Sequence, residues 1–315
     1  MMLFLTEDDV RQLLTMDDAI AAVFAVFRDR AAGKARNISR GRAQTDQAML
    51  HLLGGAADGM VGYKAYATSK QGANFQIGLF DGASGQPLAL LQADLLGQIR
   101  TGAASGVATQ TLARSDARVV GLFGTGKQAK TQAWAVCRVR PIDRIRVFSR
   151  NDANRRAFAS ELAQICGCDI EPVTHPQDAV KDCDIVITAT ASKTPVFEGA
   201  WLKPGVHLNV VGSNFLNKTE IDVETVRRAS IVAVDDIDQA KWEAGDFVAA
   251  LAEGVLTWDR VQSLADIVSG SRPGREHEDD VTLFKSLGLG MEDVAVAAIV
   301  YRLAMTKGMG RTIAF

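Results

Sequence analysis

The run GLFGTGKQA over 121–129 has the residue types that bring a phosphate against a polypeptide backbone. Glycines at 124 and 126 permit a tight turn and close approach of a pyrophosphate, and Ala129 stands where a third small residue lets a helix pack closely on the preceding strand. The helix that opens there turns its first N–H groups toward the phosphates. Thr125, Lys127 and Gln128 belong to the same turn and are expected among its ligand contacts. A G-x-G-x-x-A pattern alone is common, but here an apolar strand precedes it, a helical pattern follows it, and the next strand ends about 20 residues later, as a dinucleotide-binding unit requires. That second strand ends in Phe148, Ser149 and Arg150, with no carboxylate at 149 for the ribose hydroxyls. Arg150 can stack on adenine and pair with a 2′-phosphate, so NADP is favoured and NAD stays open.

Other chemistries find little support. His51, His175 and His207 are far apart in sequence and His277 lies in a charged loop, so neither a metal site nor a histidine-based triad is indicated. Cys166 and Cys168 have no second ligand pair at zinc spacing, and the four cysteines, with Cys137 and Cys183, read as reduced and mostly buried. Lys plus Arg (35) nearly balances Asp plus Glu (37), without a basic stripe to follow a nucleic-acid backbone. The apolar runs are strand-length, well short of the roughly 20 residues of a membrane helix. The start lacks the basic, apolar, small-residue order of a signal peptide, and a cytoplasmic location is expected.

The elements that must hold these residues fall into two patterns. A chain of 315 residues exceeds what one core usually supports. Thr15 can cap a helix whose Ile20, Val23, Phe24 and Phe27 share a face, with Gly33 after it. Strand-like pieces follow at 49–53, 62–68, 75–80 and 87–91, the last two joined by a hairpin loop at 81–85, which predicts an antiparallel sheet. A helix is expected over 93–113. From 118 onward strands and helices alternate, with strands at 118–123, 144–148, 169–173, 184–190, 207–211 and 231–235 and helices from 127, 152, 176 and 220. Near-continuous Val and Ile strands in such alternation predict a Rossmann-type doubly wound parallel sheet. The segment 281–288 and a helix over 292–305 have no strand partner in this alternation and are expected to return to the first domain, with the loop 270–280 marking the crossing. The expected domains are 1–117, a mixed α+β unit completed by 291–315, and 118–290.

Taken together, GYKAY at 62–66, QIRTGAASG at 98–106, GTGKQ at 124–128, ATAS at 189–192, VGSN at 211–214 and TLFKSLGLGMED at 282–293 occur in the order and spacing of the ornithine cyclodeaminase/μ-crystallin family, which the chain resembles over nearly its whole length. The resemblance implies a homodimer paired through the sheet of its first domain, which binds the substrate, and a catalytic cleft between that domain and the Rossmann domain. It assigns the substrate carboxylate to Arg40, with Arg42 as the rival placement, to Lys64 and to Arg100. Lys64 would also donate to the imine nitrogen or carbonyl. Arginine offers a rigid fork to a carboxylate, and a lysine ammonium makes the carbon beside it more electrophilic. Cofactor contacts carry over to Thr190, to Val211, Gly212, Ser213 and Asn214, and to Ser286, while Asn214 and Leu287 would face the substrate.

One departure bears on the reaction. The cyclodeaminases place an aspartate where this chain has Asn214, and an amide cannot serve as the general base of ammonia loss and ring closure. The expected activity is therefore NAD(P)H-dependent reduction of a small α-imino acid, cyclic or acyclic, to an L-amino acid, or the reverse dehydrogenation. An ornithine-type cyclodeaminase and a non-catalytic binder of the μ-crystallin kind are the alternatives.

Overall fold

A computed structural model describes residues 1–314. They form two compact units, one of Met1–Arg100 with the segment from Gly288 onward, the other of Thr101–Leu287.

The first unit opens with β1 (Met2–Leu5), α1 (Glu7–Leu13) and α2 (Met16–Ala31), continues through β2 (Arg36–Gln44), β3 (Ala48–Ala57), β4 (Met60–Ser69), β5 (Gly72–Asp81) and β6 (Pro87–Gln92), and enters α3 (Asp94–Leu112). The second holds β7 (Val119–Phe123), α4 (Lys127–Val139), β8 (Arg144–Phe148), α5 (Asp152–Cys166), β9 (Asp169–Pro172), β10 (Ile185–Thr188), β11 (His207–Val210), α6 (Val223–Arg228), β12 (Ile231–Val234), α7 (Ile237–Glu243), α8 (Val248–Ala252), β13 (Val261–Ser263), α9 (Leu264–Val268) and β14 (Thr282–Lys285). The chain then returns to the first unit with α10 (Gly290–Lys307) and β15 (Arg311–Ile313). Among the described residues no helix is long and apolar enough to cross a membrane.

Local chemistry starts the early helices. Thr6 and Asp9 exchange hydrogen bonds with each other's backbone N–H to cap α1, and Thr15 accepts from the Asp18 N–H to cap α2. In the first sheet, ordered β15-β1-β6-β5-β4-β3-β2, β2 to β6 run antiparallel while β1 lies parallel to β6. β2 escapes sequence reading because it is a polar, exposed edge strand without an alternating apolar face. α10 lies on β3 and β4 at backbone distance: a Cβ on Gly55 would stand 2.5 Å from Met291 Cα, and one on Gly290 would stand 2.3 Å from the Gly54 carbonyl. Glycine is required at this contact.

The second sheet, β13-β12-β14-β11-β10-β7-β8-β9, is parallel throughout. Its central strands β10, β11, β14 and β12 are buried on both faces. In β10, Ile185 and Ile187 join one core cluster while Val186 joins the other. This is the Rossmann-type doubly wound architecture, accompanied by a mixed α+β unit.

Four details differ from the sequence reading. Residues 282–285 do not leave the alternation; as β14 they fill the middle of the parallel sheet, with β11 on one side and β12 on the other. A buried lysine in a four-residue strand conceals that role. The loop 270–280 accordingly lies inside the second unit. The helix from 176 is a single 3₁₀ turn, Pro176–Ala179. The division of the chain falls within α3 instead of after it, because Gln132 donates to the Thr101 carbonyl (3.1 Å), and Arg140 (2.9 Å) and Arg275 (2.8 Å) cap the helix end through the Ala113 and Leu112 carbonyls.

Candidate active site

The glycine turn between β7 and α4 has a form that a dinucleotide site requires. Gly124 adopts φ +111°, its N–H donates to the Phe148 carbonyl at 3.0 Å, and a Cβ there would lie 2.4 Å from the Ala189 carbonyl. Gly126 begins α4 with no side-chain cap, no acid in the first turn, and open space where its Cβ would be. The exposed N–H groups and that space suit a pyrophosphate. Beside them a cavity of about 370 Å³ opens at the carboxyl ends of β7, β8 and β10, lined by Gly124, Ser149, Arg150, Thr190 and Ser192 among others and by no carboxylate. A ligand is expected at this switch point of an open α/β sheet.

Two further turns are tied together by a residue that sequence reading passed over. Glu220, where the sequence predicts a helix to start, lies before α6 and is fully buried; Asp222 caps α6 by accepting from the Thr225 N–H at 2.8 Å. The Glu220 carboxylate accepts from Thr188 Oγ1 (2.8 Å), the Thr190 N–H (2.6 Å) and the Gly212 N–H (2.7 Å). It thereby fixes the Thr190 turn against the turn of Val211, Gly212, Ser213 and Asn214. Burial raises its pKa, while the Lys285 charge and the Thr190 hydrogen bonds oppose that shift. Lys285, wholly buried, donates to the Ser213 carbonyl at 2.6 Å and pairs with Asp246 at 2.8 Å. Asp246 in turn accepts from the Glu220 N–H at 2.6 Å. After β14, the Leu287 N–H donates to Asp235 Oδ2 at 2.6 Å, with Ser286 Oγ 3.5 Å from the same oxygen.

The first unit assembles the cationic cluster. Lys64 on β4 faces inward opposite Leu53 of β3 and Ile77 of β5. It is 4% exposed, as is Arg100 at the end of the part of α3 that belongs to this unit. Both reach Asp293 of α10: Lys64 Nζ donates to Asp293 Oδ1 at 3.1 Å and Arg100 Nε to the same oxygen at 2.7 Å. Arg100 Nη1 also donates to Glu292 Oε2 at 3.1 Å. Burial, then the Arg100 charge, push Lys64 down to about 8, with Asp293 opposing. Gly97 makes room for the ammonium, since a Cβ there would stand 2.9 Å from it.

Arg40 owes its direction to a β-bulge. The register of β2 on β3 passes from Ile38 opposite Gly54 to Gly41 opposite Leu52, so Ser39 and Arg40 together face Leu53. In a regular strand Asn37 and Arg40 point to opposite faces; with the extra residue both reach the stretch 288–290 where α10 begins. Arg40 Nη2 donates to the Gly288 carbonyl (3.1 Å) and Asn37 Oδ1 accepts from the Gly290 N–H (3.0 Å). Arg40 is half-buried and its charge depresses Lys64, whereas Arg42 is exposed. Next to Lys64 runs a cross-strand row in which His51 stacks on Tyr66 (4.3 Å) and Tyr66 on Phe75 (4.8 Å). Burial, then Arg42 and Arg40, push His51 down to about 4, so it is neutral at physiological pH.

The structure thus gathers Arg40, Lys64 and Arg100 in one unit, and Gly124, Ser149, Arg150 and Thr190 around one cavity in the other. Asp293, Glu292, Glu220 and Lys285 stand in the same networks and had been assigned no role.

A profile of the ornithine cyclodeaminase/μ-crystallin family matches residues 1–308. The Delta(1)-pyrroline-2-carboxylate reductase of Bacillus cereus is 33% identical over 328 residues, covering 100% of both chains. Among solved structures, the Thermococcus litoralis Delta(1)-pyrroline-2-carboxylate reductase in complex with NADH and L-proline superposes with a TM-score of 0.95 at 34% identity, over 99% of this chain and 100% of that one. An archaeal alanine dehydrogenase dimer with bound NAD gives 0.94 at 32% identity, over 100% and 99%. The chain belongs to the ornithine cyclodeaminase/μ-crystallin family.

Proposed function

We propose that the protein is an NAD(P)H-dependent reductase of a small α-imino acid, forming an L-amino acid and, in reverse, oxidising it. The observation that carries this reading is the buried Lys64 ammonium held with Arg100 on one carboxylate oxygen, close to neutrality in its titration. Arg100 and Arg40 take the substrate carboxylate, and Lys64 donates its proton to the imine nitrogen, making the carbon a better acceptor. The nicotinamide, when bound, supplies the hydride. Met1–Arg100 with the segment from Gly288 serves as the substrate unit and Thr101–Leu287 as the dinucleotide unit. Asn214 in the turn after β11 supports reduction over cyclodeamination, since it cannot take up a proton.

Arg150 and the absence of a lining carboxylate favour NADPH over NADH. Ser149→Asp, which places a carboxylate at the end of β8, is expected to shift the ratio of kcat/KM toward NADH by at least ~10-fold, an ordinary worth for one charged hydrogen bond. Unchanged preference would remove Ser149 from the ribose site. The protein is further expected to be a homodimer. Ile38, Leu50, Leu52 and Val61 are exposed on β2, β3 and β4, on the face of the sheet away from Lys64, and sedimentation reads the state directly.

The test of the reading is NADPH and NADH oxidation with cyclic ketimines and with 2-oxo acids mixed with ammonia or methylamine. Turnover supports imine reduction. Ammonia release from ornithine without net cofactor use would show a cyclodeaminase, and tight ligand binding without turnover a binder.

A further inference from the structure

Glu292 and Asp293 are both fully buried in the first turn of α10, in a unit where Lys64, Arg100 and Arg40 converge. Their division of labour is unequal. Glu292 accepts from Arg100 and from the Leu289 N–H (3.2 Å). Asp293 places one oxygen, Oδ1, on both Lys64 and Arg100, while its Oδ2 is buried without a hydrogen-bond partner. A carboxylate pays a large desolvation cost at such a place unless a cation beside it stays charged.

We propose that Asp293 is the positioning residue that keeps Lys64 protonated for the reaction and holds it beside Arg100. The groups facing Lys64 are Arg100 of α3 and Arg40 of β2, which oppose its charge, Asp293 of α10, which favours it, and the rings of Tyr66 (5.8 Å) and Phe75 (5.7 Å). Glu292, of the same helix, engages Arg100, and His51 of β3 is neutral in the adjoining row. Asp293 is thus the carboxylate bonded directly to the ammonium, and without it two guanidinium groups and burial all act to discharge Lys64. In the reductive direction one proton passes from Lys64 to the imine nitrogen and one hydride from the nicotinamide to the carbon, leaving the amine and a neutral lysine that recovers its proton from water.

The experiment is a pair of pH series on the full-length protein. One follows the rate of imine reduction; the other follows acetimidate modification of Lys64, read by peptide mass spectrometry, which needs no substrate. Asp293→Asn is expected to move the alkaline limb of reduction and the labelling midpoint down together, by about one pH unit or more, since a lost charge-assisted bond is worth at least that much. Glu292→Gln is expected to raise the KM for the imine and leave the midpoint in place. A merely structural Asp293 would lower stability and rate at every pH with the midpoint unmoved, and that result overturns the proposal. Arg100→Met guards against a misfolded first variant: removing the cation that shares Asp293 should raise the midpoint, and a fall or no change counts against the proposal. The inference rests on the imine-reductase reading only for its kinetic series. A labelling midpoint indifferent to Asp293 sinks the inference alone, whereas a midpoint that moves in Asp293→Asn while no imine is reduced by the unaltered protein sinks the reading and leaves the hold of Asp293 on Lys64 standing.

Discussion

Lys64→Met should lower kcat/KM for imine reduction by about 10³-fold, within the range for loss of a positioned general acid, or about 4 kcal/mol of transition-state stabilisation. Methionine keeps the length and fills the space beside Gly97, and Arg100 remains on Asp293, so the unit keeps its fold. The affinity for NADPH, followed by fluorescence titration, should not change, because Lys64 and the dinucleotide turn belong to different units. The pH dependence of the parent enzyme fixes the sign. With Lys64 pushed down to about 8, the ammonium form that reduction requires predominates below that pH and is lost as pH rises through it. Reduction should therefore fall on the alkaline side, while the reverse oxidation, which needs the free amine, should rise there. Retention of more than about a fifth of the activity in Lys64→Met would remove the lysine from the chemistry.

Lys285→Met is expected to cost about 3–5 kcal/mol of stability, the usual penalty for stranding a buried charge. Lys285 and Asp246 are both fully buried and 2.8 Å apart, and Lys285 also supplies the donor to the Ser213 carbonyl. In thermal unfolding this should appear as a fall in Tm of about 10 °C, with a weakened affinity for the dinucleotide as the 211–214 turn loosens. Replacing Asp246 with Leu in the same chain should recover most of the stability, since an apolar pair leaves no charge stranded. It should not recover dinucleotide affinity, because the Ser213 carbonyl and the Glu220 N–H still lack their partners. A loss under about 1 kcal/mol in the single variant would mean that water reaches Asp246.

The residues legible in the sequence are those whose signal is local. Gly124 is required by one turn, Gly126 leaves the space a pyrophosphate would fill, and the near-continuous apolar runs from 118 onward belong to a sheet whose central strands are buried on both faces. Resemblance to a family supplied Lys64 and Arg100. What stayed hidden depends on contacts between distant segments. An acid such as Glu220 or Asp293 looks in sequence like any surface acid, and only the fold shows that it is buried among donors contributed from 30 residues away in one case and 229 in the other. The direction of Arg40 depends on one extra residue in an edge strand, which shifts the alternation by one and cannot be counted before the register on β3 is known. The place of residues 282–285 in the parallel sheet is hidden because a strand that includes Lys285 has no apolar run to announce it.

The late place of β14 in the chain has a consequence for how the molecule is made. β11 and β12 do not pair with each other; each pairs with β14. As the ribosome delivers the polypeptide, the parallel sheet stays open in its middle until residues 282–285 emerge, leaving two apolar strand edges of the kind that recruit stray chains. The first unit waits as well, because the glycine-lined surface of β3 and β4 is covered by α10, which follows directly. Neither half can be finished early and serve as a template for the other, so nascent chains stalled before residue 282 should be clients for chaperones, while those past α10 should close both halves at nearly the same moment.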